Sequence, residues 1–229
     1  MVFNSRLPTF EADVNIMATL ADIRKEYTRS TLEVDKVTTR PIPQFEKWFD
    51  EAVKAGVPEP TAMTLSTVSA AGRPSSRVVL LKGISEGAFL FYTNYQSNKG
   101  KALEANEHVA LNFFWPELER QVRIEGVAGR VSAATSDDYF HSRPRASQIG
   151  AWASPQSTVI ANRDILEARV KALENKFAAQ DEIPRPQQWG GYAVDPVYVE
   201  FWQGRPSRLH DRIVYVLGEK GWTIHRLAP

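Results

Sequence analysis

The sequence predicts a mainly β, antiparallel barrel with peripheral helices. Short segments rich in β-branched and aromatic residues recur at Met63–Val68, Arg77–Leu81, Ala88–Thr93, Val109–Trp115 and Gln121–Val131. Helical periodicity is confined to a few insertions around them. The chain then returns to β pattern at Val197–Trp202, Arg212–Leu217 and Trp222–Leu227. Strands interrupted at few points by helices fit a barrel better than a layered α/β sheet.

Residues 1–15 carry no clear pattern and read as a mobile tail. Ile16, Leu20, Ile23 and Tyr27 recur at helical spacing, so the division expected is a mobile segment and helix start over 1–23 and one domain over 24–229. After Pro41 and Pro43, the residues Phe45, Trp48, Phe49 and Val53 mark a second helix ending near Gly56. Ala71–Pro74 is a turn. Apolar residues on both faces of several strands predict burial on both sides, and the change of phase near Gly126 predicts a bulge. Thr135 with Asp138 resembles a capping box. Asn162 can cap a longer helix with the stripe Leu166, Val170, Leu173 and Phe177. Gly218–Gly221 turns the last two strands.

Composition excludes several classes of function. The 229 residues carry a formal net charge of +1, with no basic run to suit nucleic acid and no apolar stretch long enough to span a bilayer. Cysteine is absent, which removes thiolate catalysis and Cys-type zinc sites and fits a reducing compartment. The start lacks the apolar core of a signal peptide, so the cytoplasm is expected. The four histidines have no metal-ligand spacing, so no metal site is expected, and Gly-rich phosphate loops and hydrolase elbows are missing.

What remains is basic residues among strands. Arg77-Val78-Val79-Leu80-Leu81-Lys82 ends an apolar strand with a cation on each side. Their odd spacing sends them to opposite faces, where they serve two anions or simply end a core strand in solvent. Arg143, Arg145, Ser142, Ser147 and Gln148 follow a short helix, a mixture that suits a phosphate and equally a solvated helix end. Arg208, His210 and Arg212 alternate along what reads as one strand face beside Trp202 and suggest a pocket wall.

Longer runs carry a resemblance. Glu200 to Arg212 with the closing Arg226-Leu227-Ala228-Pro229 resembles the signature of the pyridoxine 5'-phosphate oxidase family. Arg24–Tyr27, Arg77–Lys82, Phe91–Asn94, Glu119–Val122, Tyr139–Arg145, Gln148–Trp152 and Trp189–Gly191 resemble it too, in the family's order, from Arg24 to the end.

The resemblance implies a split β-barrel homodimer with FMN at the subunit interface. It assigns FMN to Arg77, Val78, Val79, Leu80, Leu81, Lys82, Tyr92, Thr93, Asn98, Lys99 and Gln121. Gln156 and Ser157 would reach it from the partner, and Trp202 and Arg212 would flank it. Phosphorylated B6 vitamers would meet Lys82, Tyr139, Arg143 and Ser147, with Arg208, Leu209 and His210 over the ring. Arg24, Lys25, Glu26 and Tyr27 would close the site, and Arg208 and His210 would be the catalytic pair. The implied activity is oxidation of pyridoxine and pyridoxamine 5'-phosphates by dioxygen to pyridoxal 5'-phosphate. One departure stands out: Ser97-Asn98-Lys99 replaces the family's common Ser-Arg-Lys. A flavin oxidase of the phenazine type and a non-catalytic pyridoxal phosphate carrier are the rivals.

Overall fold

The computed structural model describes residue 23 and residues 26–229. The expected first helix, the 1–23 segment, Arg24 and Lys25 lie largely or wholly outside them; Tyr27 itself is not helical. The first described helix, α1 (Pro41–Lys54), has prolines in its first turn, where a missing N–H costs nothing. It buries Phe45, Trp48 and Ala52 against the sheet, with Phe45 edge-on to Phe89 and Phe113.

The strands are β1 (Ala62–Val68), β2 (Pro74–Leu80), β3 (Gly83–Ser85), β4 (Ala88–Asn94), β5 (His108–Trp115), β6 (Arg120–Arg130), β7 (Trp189–Gln203), β8 (Asp211–Gly218) and β9 (Gly221–Leu227). Among the described residues they form one sheet, ordered β2-β1-β5-β6-β7-β4-β3, with β8 on β7 and β9 on β8. Every pairing is antiparallel. The helices α2 (Asn98–Ala105), α3 (Ala133–Ser142), α4 (Arg145–Ala153) and α5 (Asp164–Phe177) fill the connections.

Several expectations need correction. β7 starts at Trp189, eight residues before the expected Val197, because Gly190 and Gly191 are strand residues. Neither could carry a side chain: a Cβ on Gly190 meets Tyr95 and Ser136, and one on Gly191 meets Tyr92 and Val131. β1 and β5 bury alternate residues only, so burial on both faces holds for β4 and the start of β7 but not for them. Ser132, not Thr135, caps α3, its hydroxyl accepting from the Thr135 N–H. Asn162 does accept from the Ile165 N–H at the head of α5, whose stripe buries Phe177 fully and the rest in part.

The register shifts where the phase change placed a bulge, between Glu125 and Gly126, but the extra residue is Val197 on β7, and β6 keeps its alternate burial. Gly126 is required there, because a Cβ would meet the Asp195 carbonyl oxygen. Gly126→Ala is therefore expected to cost about 1–3 kcal/mol of stability, measured by urea denaturation; an unchanged midpoint would contradict this packing.

Candidate active site

β2 sets the first half of the site. It ends at Leu80, and Leu81 continues the register on β1, its side chain buried and its N–H bonded to the Thr61 carbonyl. Arg77, Val79 and Leu81 turn inward and Val78, Leu80 and Lys82 outward, so the two cations keep opposite faces while both border one cavity. That cavity, about 690 Å³, is also lined by Val78, Val79, Leu80, Tyr92, Thr93, Lys99, Tyr139, Arg143, Ser147 and Gln156. Among the described residues, Arg77, Lys82, Lys99 and Arg143 are its charged ones, and no carboxylate lines it. An uncompensated group of cations in a concave site is built for anions.

Three of these cations, Arg77, Lys99 and Arg143, are held by described partners. Arg77 donates to the Leu65 carbonyl at 3.1 Å, to Thr67 at 2.8 Å and to Ser75 at 2.6 Å. The Lys99 ammonium donates to Gln156 at 3.0 Å and Thr93 at 3.2 Å. Burial lowers the pKa of both, and the Arg77 charge lowers that of Lys99 further. Burial also lowers that of Arg143, whose guanidinium lies 4.6 Å from the Trp189 ring centre. Its Nη1 is buried without a hydrogen-bond partner among the described residues. An orphan donor of this kind is costly unless a ligand accepts from it.

The stacked rings of Tyr92, Tyr139 and Trp189 make an aromatic wall, with Tyr92 and Tyr139 centres 3.9 Å apart. Trp189 was absent from the expected site residues, although its Trp-Gly-Gly motif was visible. Assigning the strand from Val197 onward hid its position.

A second cluster lies at the far end of β7. Gln121, Trp202 and Arg212 are partners across β6, β7 and β8. The His210 and Trp202 rings are 4.5 Å apart, and Tyr27 meets both edge-on. Glu200, also missed from sequence, is 1% exposed and accepts two bonds from Arg212, at 2.7 and 3.0 Å. Burial pushes the Glu200 carboxyl up, but the hydrogen bonds and charge of Arg212, with Arg123, outweigh it and leave the pKa lowered.

Arg208, His210 and Arg212 do not share a strand face. Pro206–Arg208 is a 3-10 turn with Ser207 and Arg208 at φ 56 and 62, and the strand begins only at Asp211. A proline with fixed φ and no N–H turns the chain off β7. Arg208 and Leu209 are exposed, and Glu26 is exposed as well.

None of Gln121, Trp202, Arg208, His210 and Arg212 lines the cavity, nor do Leu81, Asn98 and Ser157. Asn98 is exposed, with its N–H donating to Ser157 at 3.3 Å. Ser97 caps α2, its hydroxyl accepting from the Gly100 N–H at 3.3 Å. Gln156, expected from a partner, stands in this chain's own cavity.

Comparison with known proteins settles the family. The sequence matches the pyridoxamine 5'-phosphate oxidase profile over residues 49–177 and the pyridoxine 5'-phosphate oxidase C-terminal dimerisation region over 189–229. The chain belongs to the pyridoxamine 5'-phosphate oxidase family. The pyridoxine/pyridoxamine 5'-phosphate oxidase of Chromobacterium violaceum is 58% identical over 92% of this chain and 98% of its own length. That of Cytophaga hutchinsonii is 55% identical over the same shares. Among solved structures, PhzG from Burkholderia lata 383, in complex with tetrahydrophenazine-1-carboxylic acid, is 29% identical. It superposes with a TM-score of 0.82 over 88% of this chain and 100% of its own. An FMN binding protein related to pyridoxamine 5'-phosphate oxidase, from Nostoc punctiforme, shares the fold at 16% identity and TM-score 0.66, covering 84% of this chain and all of its own. Family and neighbours point to a flavin as the class of cofactor.

Within this family site His210 has a defined state. Its Nδ1 accepts from the Arg205 N–H at 3.1 Å, so the neutral ring carries its hydrogen on Nε2. Burial lowers its pKa, Arg208 lowers it further, and Asp211 opposes them. The stability owed to the neutral ring is complete above the ordinary value of about 6.5 and is lost as pH falls through the lower folded value. An NMR titration of the ring is expected to give a midpoint below that ordinary value; one above it would contradict this environment.

Proposed function

We propose that the chain is an FMN-dependent oxidase that converts pyridoxine and pyridoxamine 5'-phosphates to pyridoxal 5'-phosphate as a homodimer. The observation that carries the reading is a cavity that, among the described residues, has four cations, no carboxylate and an unpartnered Arg143 Nη1. FMN and a phosphorylated vitamer each bring a phosphate, and such a cavity can neutralise both. Arg77, Lys99 and Thr93 would hold the cofactor phosphate. Lys82, Tyr139, Arg143 and Ser147 would hold that of the substrate.

Held by Arg77, Thr93 and Lys99, FMN would supply the two-electron redox chemistry that oxidises the vitamer at C4' and reduces dioxygen to hydrogen peroxide. The protein's share is placement. Phosphate contacts act as handles that fix the vitamer ring, and the apolar residues Val78, Val79 and Leu80 exclude water from one side. With Nδ1 already occupied by Arg205, His210 offers a donor through Nε2 and does not act as a free base. Arg208 and His210 then orient the C4' alcohol or amine, from a partner subunit on this reading.

The two-subunit arrangement is supported by strand geometry. Trp189 in the cavity wall and Trp202 in the second cluster lie thirteen residues apart on β7, roughly 40 Å of strand at about 3.3 Å per residue. The match to a dimerisation region over 189–229 supports a second copy supplying that cluster.

The phenazine-type reading is favoured only by the PhzG superposition, at about half the identity of the B6-oxidase relatives. Adding pyridoxine 5'-phosphate to purified protein separates the readings. Yellow protein that releases peroxide is expected; flavin-bound protein inert to both vitamers would favour the phenazine type, and flavin-free protein that binds pyridoxal phosphate would favour a carrier.

Arg143→Ala is expected to weaken substrate binding by about 1.5–3 kcal/mol while FMN affinity, measured by fluorescence titration, stays nearly constant. Equal losses for both ligands would overturn the division of the cavity. Arg208→Ala is expected to lower kcat as well as raise KM; a change in KM alone would make Arg208 a uniform binding contact.

A further inference from the structure

Glu119 sits between the end of β5 and the start of β6, is 3% exposed, and makes no ion pair with any described residue. A buried carboxylate without a cation needs hydrogen bonds to offset its desolvation. Its donors are backbone groups from far along the chain: the Thr28 N–H at 2.9 Å and the Arg29 N–H at 3.0 Å, both to Oε2. The residue also adopts φ 56, a left-handed conformation that costs a side-chain-bearing residue energy.

The Glu119 backbone serves a second element. Its carbonyl accepts from the Gly204 N–H at 2.7 Å and from the Gln203 side chain at 3.2 Å. Gly204 lies under the Tyr27 ring, where a Cβ would come within 2.6 Å of Tyr27 Cγ and 3.1 Å of Glu119 Cβ. One residue thus joins the end of β7 to the segment that sets Tyr27 edge-on to Trp202 and His210. Further along, Asp211 accepts from the Leu32 N–H at 3.0 Å and fixes the same segment again.

We propose that Glu119 is a positioning residue: its carboxylate grips the backbone at Thr28 and Arg29 and so fixes the Tyr27 ring against Trp202 and His210. Because the grip is on backbone N–H groups, it is indifferent to the side chains at 28 and 29 and depends on the acceptor at 119. The functional consequence rests on the proposed oxidase reading, in which Tyr27 bounds the vitamer ring.

The test uses the full-length holoenzyme with Glu119→Ala, Glu119→Gln and Gly204→Ala. Charge-assisted bonds of this kind correspond to about a ten-fold or larger effect. Glu119→Ala is expected to speed amide hydrogen exchange at Thr28 and Arg29 by about that factor and to raise KM for pyridoxine 5'-phosphate similarly. FMN affinity should move less than about two-fold, and kcat less than KM. Glu119→Gln, which keeps a neutral acceptor, should recover part of both effects, and it still decides the matter if the alanine variant does not fold. Gly204→Ala should raise KM by displacing Tyr27 while Glu119 is intact. Unchanged exchange at 28 and 29 in both Glu119 variants would overturn the grip, and so would equal losses of FMN and substrate affinity. A wild-type protein that oxidises neither vitamer would instead overturn the oxidase reading, and exchange would still decide the role of Glu119.

Discussion

The structure depends on one strand that serves different partners along its length. The first half of β7 pairs with β4 and the second half pairs with β8, while β6 runs along the opposite edge. Buried backbone groups need partners, and β7 finds them on β4 as far as Val194 and on β8 from Tyr198. Opposite Gly126 the extra residue Val197 bulges β7 between the stretch that meets β4 and the stretch that meets β8. Everything chemical is distributed by that split. The β4 end leads into α2 and carries Tyr92, Thr93 and Lys99; the β8 end carries Trp202 and Arg212.

Charge is handled differently at the two ends. In the cavity Arg77 and Lys99 have neutral acceptors among the described residues, and burial lowers the pKa of Arg77, Lys99 and Arg143. They are costly to bring together and are relieved when an anion arrives. At the far end Arg212 is already matched by Glu200, and its pKa is raised, first by those hydrogen bonds. One end is thus prepared to receive charge, and the other is a fixed wall of rings and paired ions. That difference fits a site in which the phosphates lie in the cavity and the flat ring systems are enclosed by the rung cluster.

Periodicity revealed the strands because alternate burial is a local property of the chain. It failed at Trp189–Gly191, where two glycines carry no hydrophobic signal yet lie in the strand because neighbouring side chains occupy their Cβ space. Alternation did place Arg77 and Lys82 on opposite faces, because Leu81 keeps the register on β1 through its bond to Thr61, but it could not show that both border one cavity. Pro206 was visible, but the left-handed turn at Ser207 and Arg208 that separates His210 from the strand was not. Most cavity residues were nevertheless legible through the resemblance. Glu119 was not singled out because a buried carboxylate is identified by its partners, and Thr28 is 91 residues away; for Glu200, Arg212 is near in sequence but the pairing depends on β7 and β8 lying side by side.

The central claim is that the cavity of one subunit and the β6–β7–β8 rung of another make one site. Subunit mixing tests it directly, with mixed dimers of Arg143→Ala and Arg208→Ala purified through two different tags and assayed where each parent is nearly inactive. A shared site leaves one of the two sites wholly wild type, because both substitutions fall in the other. The mixed dimer is then expected to recover about half of wild-type turnover. Turnover no higher than that of the two parents would place both clusters in the same chain's site and contradict the account.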